Sequence, residues 1–384
     1  MKTSRDRILT THVGSLPRSG AVVALLQRRE KGEQVDPTEF NPVVRDAVAE
    51  TVGRQVAAGI DVVSDGETSK ISYSTYVTDR LTGFSAEGST ETARPHLDLA
   101  PFPEFVRKMG LLTGPRPFKR VSCIGPVKLR DRAALENDLD NMRRATDAAT
   151  PTDAFLNAAS PGVVATFLPN RHYPTHEAYI EAVADAMRDE YESIVAAGFV
   201  LQVDCPDLAM ARHTAFQGLS DADFLKRAQF HIETLNHALA KVPAHRLRIH
   251  MCWGNYEGPH THDVDLARLA RIILGVNASA FSIEAANPRH EHEWAVWKEI
   301  KLPDDKILLP GVVDSCTNYV EHPDLVAQRI VRFADVVGRE RVIASTDCGF
   351  GTFAGYGKID PEIAWLKLAA LVEGAKRASR QLWS

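Results

Sequence analysis

Four side chains able to ligate a metal lie near the ends of short apolar segments: His250 and Cys252 in RLRIHMCW, Glu284 in AFSIEA and Cys348 in RVIASTDCG. Residues 250 and 252 are two apart, so on a strand both side chains face one way. One imidazole, two thiolates and a carboxylate form a mixed shell that suits Zn2+, whereas Ca2+ and Mg2+ take oxygen shells. A free thiol is mostly neutral near neutral pH and zinc favours its anion, so the chemistry implied is activation of a sulfur nucleophile. Glu284 is the most exchangeable member of the set and is expected to yield to an incoming substrate thiol. Taken singly, these residues have plainer explanations: an inward histidine beside an apolar cysteine, an ion-pairing or capping carboxylate, a buried thiol. Only their convergence would make a site.

A second group concerns what the thiol belongs to. Glu67 closes GIDVVSDGE and Asp204 lies in GFVLQVDCP, a pair of carboxylates suited to an ammonium group, while Ser15 and nearby backbone could hold a carboxylate. Glu67 in DGE also reads as an ordinary turn residue. Trp253, Asn255 and Tyr256 follow the first two candidate ligands, and Arg289, His290, His292 and Trp294 follow Glu284. Trp253 and Arg289 are candidates for substrate contact; His172, Tyr173 and Tyr256 are candidates for proton delivery. A solvated rim loop explains the Arg/His run equally well.

For these residues to meet, the segments carrying them must share a sheet. Eight apolar segments recur, at 11–16, 59–67, 121–129, 198–206, 246–253, 280–285, 306–314 and 341–349. Most are followed by helical periodicity, such as Val44, Val48, Val52 and Val56 every four residues, or Val326, Ile330, Phe333 and Val337. Alternating strands and helices imply parallel strands with helical crossovers, and eight such units favour a closed (β/α)8 TIM barrel. No GxGxxG or Walker A sequence follows a candidate strand, which weakens an open nucleotide-binding sheet. Regions 72–120 and 131–175 are long for simple connections and are expected to decorate the active-site rim of one barrel domain spanning 1–384.

Composition narrows the classes further. Lys and Arg number 45 against 50 Asp and Glu, a formal charge of -5, so no global basic field draws the chain to nucleic acid or an anionic membrane. The polar start and the lack of a long apolar stretch make the cytoplasm the expected location. Five scattered cysteines make a poor disulfide framework. The sequence is compatible with a homo-oligomer.

The motifs HVGSLPR (12–18), QVAAGIDVVSDGE (55–67), IGPVKL (124–129), LQVDCPDLA (201–209), RIHMCWGN (248–255), SIEAANPR (282–289) and STDCGFGT (345–352) resemble, in order, blocks of the catalytic domain of cobalamin-independent methionine synthase and its single-domain relatives. The resemblance runs over nearly the whole chain. It implies a (β/α)8 barrel, methyl transfer to a thiol, zinc held by His250, Cys252, Glu284 and Cys348, and homocysteine bound by Ser15, Glu67 and Asp204. The usual DEP triplet is DCP here, and period-two geometry turns Cys205 away from Asp204. The chain is also too short for the additional N-terminal barrel of the full-length enzyme, so the expected donor is a small methyl donor or a methylated corrinoid protein. The rival enzymatic reading is an epoxyalkane:coenzyme M transferase, whose sulfonate-bearing thiol would call for Arg/His contacts and a proton donor such as His172, Tyr173 or Tyr256. A noncatalytic zinc-binding module is the third reading.

Overall fold

The computed structural model describes residues 1–86, 96–109, 121–357 and 359–384. Eight parallel strands form its central sheet: β1 (Leu9–Thr10), β2 (Val62–Val63), β3 (Asp153–Ala159), β4 (Val200–Asp204), β5 (Leu247–Met251), β6 (Ala280–Ile283), β7 (Ile307–Val313) and β8 (Ile343–Thr346). Their order is β1-β8-β7-β6-β5-β4-β3-β2. The two ends of that row meet where the Asp61 amide donates to the Thr10 carbonyl (3.1 Å) and the Thr11 hydroxyl to the Val62 carbonyl (2.9 Å). Helices surround the sheet, and the fold is the (β/α)8 TIM barrel. Among the described residues no helix is long and apolar enough to cross a membrane.

Local sequence explains the outer layer. The helix Pro37–Ala58 starts with Asp36 accepting from the Thr38 amide and Pro at its first position, and ends at Gly59 with φ 91°. Its Val44, Val48 and Val52 are buried against the barrel, as the four-residue spacing requires. The helices Leu266–Ile273 and Pro323–Val337 bury Leu266, Leu269 and Ile273, and Val326, Ile330, Phe333 and Val337, respectively.

The third strand is a correction to the sequence reading. Val121–Leu129 does not enter the barrel; only Ser122–Cys123 is extended, paired antiparallel with Phe84–Ser85. Gly125 and Pro126 interrupt the segment, and proline cannot donate to a sheet ladder. The third barrel strand is instead DAFLNAA, inside the region 131–175 expected to be a rim insertion. That region carries the helix Ala133–Ala149, β3 and the helix Pro161–Phe167. Three alanines and an asparagine gave DAFLNAA a weak strand signature, and burial inside the sheet overrides that propensity. In the expected rim region 72–120, residues 87–95 and 110–120 lie outside the described residues.

Inside the barrel, alternate residues of each strand point at the axis. The amino-terminal end is filled by Leu9, Ala280, Ile307, Leu309 and Ile343 on one side and Val62, Phe155 and Val200 on the other. Above them Arg248 is almost fully buried, its guanidinium bonded to Gln202 Oε1 (2.6 Å), Thr11 Oγ1 (3.0 Å) and the His12 carbonyl (2.7 Å), and lying 3.5 Å from the centre of the Phe155 ring. His250 and Cys252 continue the same face toward the carboxyl end.

Asp61 fastens the seam between β1 and β2, accepting from the Thr10 amide (2.9 Å) and hydroxyl (3.1 Å) and pairing with both terminal nitrogens of Arg7. Asp61→Ala leaves the buried Thr10 amide without its carboxylate, and we expect a loss of roughly 2–3 kcal/mol by denaturant titration. Unchanged stability would show that the seam closes without it.

Candidate metal centre and substrate chamber

His250 is on β5 and Cys252 just beyond it, Glu284 follows β6 and Cys348 follows β8, so four separate backbone positions deliver the cluster. All four residues are buried. Cys348 Sγ lies 3.5 Å from His250 Nε2 and 3.4 Å from Glu284 Oε1. One donor atom from each of His250, Cys252 and Cys348 falls within 4.8 Å of the other two, a group capable of coordinating a metal ion. For tetrahedral zinc, with Zn–S of about 2.3 Å and Zn–N of about 2.0 Å, neighbouring S and N donors are about 3.5 Å apart, so the spacing fits that ion.

Electrostatics point the same way. Burial, followed by the charge of Arg248, lowers His250 to about 3, which keeps the imidazole neutral and its lone pair free. Burial, and then the neighbouring Cys252 thiol and Glu284, push Cys348 well above the ordinary thiol range; burial also raises Glu284. The Cys348 thiol and the Glu284 carboxyl group thus resist ionisation on their own, and a divalent cation beside them would reverse that balance. The residues fit zinc.

Surrounding groups fix these donors. His250 Nδ1 is 3.3 Å from Ser282 Oγ. Glu284 accepts from the Trp253 amide (3.2 Å) and from Asn287 Nδ2 (2.8 Å). The Ser315 hydroxyl accepts from the Cys348 amide (3.1 Å) and donates to Asn255 Oδ1 (2.9 Å). Asp347 accepts from the amides of Ala285 (2.7 Å), Ala286 (2.9 Å) and Asn287 (2.9 Å), which sets the backbone just after Glu284. Sequence reasoning passed over Asp347, although it stands in STDCG beside Cys348; a carboxylate between an apolar strand and a ligand was its signal.

The second expected group is brought together as well. Glu67 has φ 53° in the turn after β2, and Asp204 ends β4. Asp204 accepts from Asn157 Nδ2 (3.0 Å) and Gln202 Nε2 (2.7 Å). Burial raises Glu67 to about 8, against the pull of Lys70 and with a further push from Asp204; burial raises Asp204 itself to about 6. Among the described residues, Ser15 Oγ, Glu67 Oε2 and Asn157 Oδ1 are buried without a hydrogen-bond partner. Asn157 went unnoticed because its strand did. Ser15 is tied to the far side of the chamber: the Phe350 amide donates to its carbonyl (2.8 Å), and a Cβ on Gly349 would stand 2.0 Å from its hydroxyl, so only glycine fits there. Burial, then Cys252, Asp204, Cys348 and Glu67, raise the Tyr73 phenol, so one hydroxyl senses both groups.

Other expected residues sit elsewhere. Trp253 is fully buried behind the cluster, its indole donating to the Val264 carbonyl (2.8 Å) and stacked at 3.8 Å on His290, so only its backbone amide reaches Glu284. Arg289 and His172 are exposed. Tyr173 Oη accepts from the Val127 amide (2.8 Å), and Tyr256 donates to Asp98 (2.9 Å). No hydrogen bond or ion pair joins His172, Tyr173, Tyr256 or Arg289 to the cluster among the described residues. Cys205 is buried with Sγ on the Val203 carbonyl (3.6 Å), a packing position.

Fold and donor set together define a (β/α)8 barrel with a metal-type cluster at its carboxyl end. The chain belongs to the cobalamin-independent synthase, catalytic domain family, whose model matches residues 8–94 and 165–372. It is 24% identical over 374 residues to a methionine synthase of Thermococcus kodakarensis, covering 97% of this chain and 94% of that protein. It is 25% identical over 406 residues to a 2-hydroxypropyl-CoM lyase of Xanthobacter autotrophicus, covering 98% and 96%. The fold is similar to that of a B12-independent methionine synthase from Shewanella sp. W3-18-1 in complex with selenomethionine, with a TM-score of 0.73, 20% identity and coverage of 98% and 99%.

Since Asp347 holds the backbone that aims Glu284, Asp347→Ala should weaken divalent-metal binding by about 10- to 100-fold in a chelator competition. An unchanged affinity would assign Asp347 to loop packing alone.

Proposed function

We propose that this protein is a zinc-dependent alkyltransferase that moves a methyl group to the thiol of homocysteine, forming methionine. The observation that carries the reading is the set of unpartnered buried atoms beside the sulfur and nitrogen donors, Ser15 Oγ, Glu67 Oε2 and Asn157 Oδ1. An amino acid supplies what they lack: an ammonium group for Glu67, Asp204 and Asn157, and a carboxylate for the Ser15 hydroxyl. The methionine synthase relatives support this reading, and the 2-hydroxypropyl-CoM lyase supports the rival one. A sulfonate-bearing thiol would need cations directed inward. Arg289 and His172 are exposed, and the Arg18 guanidinium is spent on the carbonyls of Glu67 and Gly351, so homocysteine is favoured.

His250, Cys252, Cys348 and Glu284 would hold the zinc ion. Zinc in such a shell supplies one thing, stabilisation of a substrate thiol as its thiolate near neutral pH. The chain supplies orientation: Glu67 and Asp204 grip the amino end and Ser15 the carboxylate, leaving the side-chain sulfur directed at the cluster. The Trp253 amide bonds the Glu284 oxygen that faces Cys348 and Asn287 bonds the other, so the carboxylate would keep hydrogen-bond partners if it yielded to a substrate thiol. In the transfer a sulfur–carbon bond forms as the donor–carbon bond breaks, and the donor leaves with that electron pair. No alkoxide is generated, so no general acid is required of His172, Tyr173 or Tyr256. The donor is a small methyl donor or a methylated corrinoid protein.

Mass spectrometry of reactions pairing homocysteine or coenzyme M with each donor class, and coenzyme M with an epoxide, tests the reading: methionine is the expected product. A coenzyme M thioether formed in place of methionine would overturn it. Metal analysis should give zinc at the Cys/His cluster, lost in Cys348→Ser. Asp204→Asn should weaken homocysteine binding by about 10- to 100-fold while zinc is retained, read by calorimetric titration. Equal affinity would remove Asp204 from the role. Ammonium binding needs ionised carboxylates, and with Glu67 near 8 and Asp204 near 6 the ionised fraction grows as pH rises. Homocysteine affinity should therefore climb between pH 6 and 8, and Glu67→Gln should flatten the upper part of that rise.

A further inference from the structure

Beside the chamber, three side chains from distant stretches meet. Asp98 lies ahead of the helix Pro103–Lys108, His213 follows β4, and Asp263 lies between β5 and the helix Leu266–Ile273. The side chains of His213 and Asp98 are 0% exposed and that of Asp263 is 1% exposed. His213 Nδ1 is 3.1 Å from Asp263 Oδ1 and 3.8 Å from Asp98 Oδ2, and one donor atom from each residue lies within 4.8 Å of the other two. Despite that proximity, neither ring nitrogen of His213 nor Asp263 Oδ1 makes a hydrogen bond among the described residues; the pair is close enough but not aligned for one. A buried imidazole with both nitrogens unmatched is costly unless something else occupies the lone pair.

The remaining atoms of the trio are held from outside. Asp98 Oδ1 accepts from the His262 amide (2.8 Å) and the Thr261 hydroxyl (3.1 Å) and lies 2.8 Å from His262 Nδ1; Asp98 Oδ2 accepts from Tyr256 (2.9 Å). Asp263 Oδ2 sits between His260 Nδ1 (2.8 Å) and His290 Nε2 (2.9 Å). Outer partners of this kind aim the ligands of a metal site. The adjoining group of His260, Asp263 and His290 is held by these hydrogen bonds, whereas the Asp98, His213 and Asp263 group leaves both ring nitrogens of His213 and Asp263 Oδ1 without one among the described residues. Donors bonded at about 2.0–2.2 Å to one ion lie about 3–3.5 Å apart; His213 and Asp263 already stand at 3.1 Å, and Asp98, at 3.8 Å from His213, would draw slightly closer.

We propose that Asp98, His213 and Asp263 form a second metal site, separate from the Cys/His/Glu cluster, for a divalent transition-metal ion such as Mn2+ or Zn2+. One imidazole nitrogen and two carboxylate oxygens without sulfur suit ions of intermediate hardness. The ion pins the segment around Asp98 onto the loops after β4 and β5, where the Leu97 amide already donates to the His213 carbonyl (3.0 Å).

The test removes the thiols first, so its outcome is independent of the proposed methyl transfer. The Cys252→Ser/Cys348→Ser protein, titrated with Mn2+ and separately with Zn2+, should bind one ion per chain, and adding His213→Ala should abolish that binding. Crystals of the wild-type protein soaked in Mn2+ should give an anomalous peak bonded to His213 Nδ1 and the two carboxylates, which decides the matter if the His213 variant misfolds. Absence of binding of either ion to the thiol-free protein, binding that survives His213→Ala, or soaked crystals with no peak at His213 would overturn the site.

Discussion

A parallel sheet closed on itself points every second residue of every strand at one axis, and the chemistry of this protein depends on that constraint. Arg248 and His250 on β5, with Cys252 just beyond its end, form one such row. Register places Asp204 opposite His250 and His250 opposite Ser282, so neighbouring strands end level and present their polar groups together. Were the seam between β1 and β2 open, Ser15, carried beside β8, and Glu67, carried beside β3, would have no fixed relation to each other. Asp61 and Thr10, at the amino-terminal side of that seam, therefore matter to residues that they do not touch.

The interior is graded along the axis. Apolar side chains close the lower end, a bonded guanidinium and amides fill the middle, and titratable groups crowd the top. Crowding carboxyl and thiol groups in a dry space raises their proton affinities, which is why Glu67, Asp204, Glu284 and Cys348 all shift the same way. The chamber is thus short of positive charge. On the proposed reading that deficit is met from outside the chain, by zinc at one end and a substrate ammonium at the other. The internal cations do not fill it: Lys70 donates to the Asn157 carbonyl (2.6 Å), and Arg248 is engaged below.

Behind the cluster, a second polar layer supports the first. Trp253 separates the two, giving its amide to Glu284 and its indole face to His290. His290 is held between Asp263 and Glu293 and raised to about 10, burial opposing and the two carboxylates favouring the charged ring. The loops after β4, β5 and β6 are joined through this layer, so the segments bearing the ligands are braced by one another.

Much of this was written in local sequence. The spacing of His250 and Cys252, the apolar segments before Glu284 and Cys348, and the four-residue stripes of the helices each depend on near neighbours, so six of the barrel strands and the cluster were legible, while the first strand, Leu9–Thr10, lies just ahead of the expected segment 11–16. DAFLNAA was not, because alanine and asparagine carry little strand preference, and only burial between β2 and β4 makes that segment a strand; Asn157 was lost with it. The tertiary structure alone decided which polar residues face the chamber. Trp253 and Tyr256 lie close to Cys252 in sequence yet turn to Val264 and Asp98, while Asp347, whose sequence position names no partner, reaches across to the backbone after Glu284. Period and composition fix which residues a strand can offer; which partner each one meets is set by packing between segments up to hundreds of residues apart, and no local pattern encodes that.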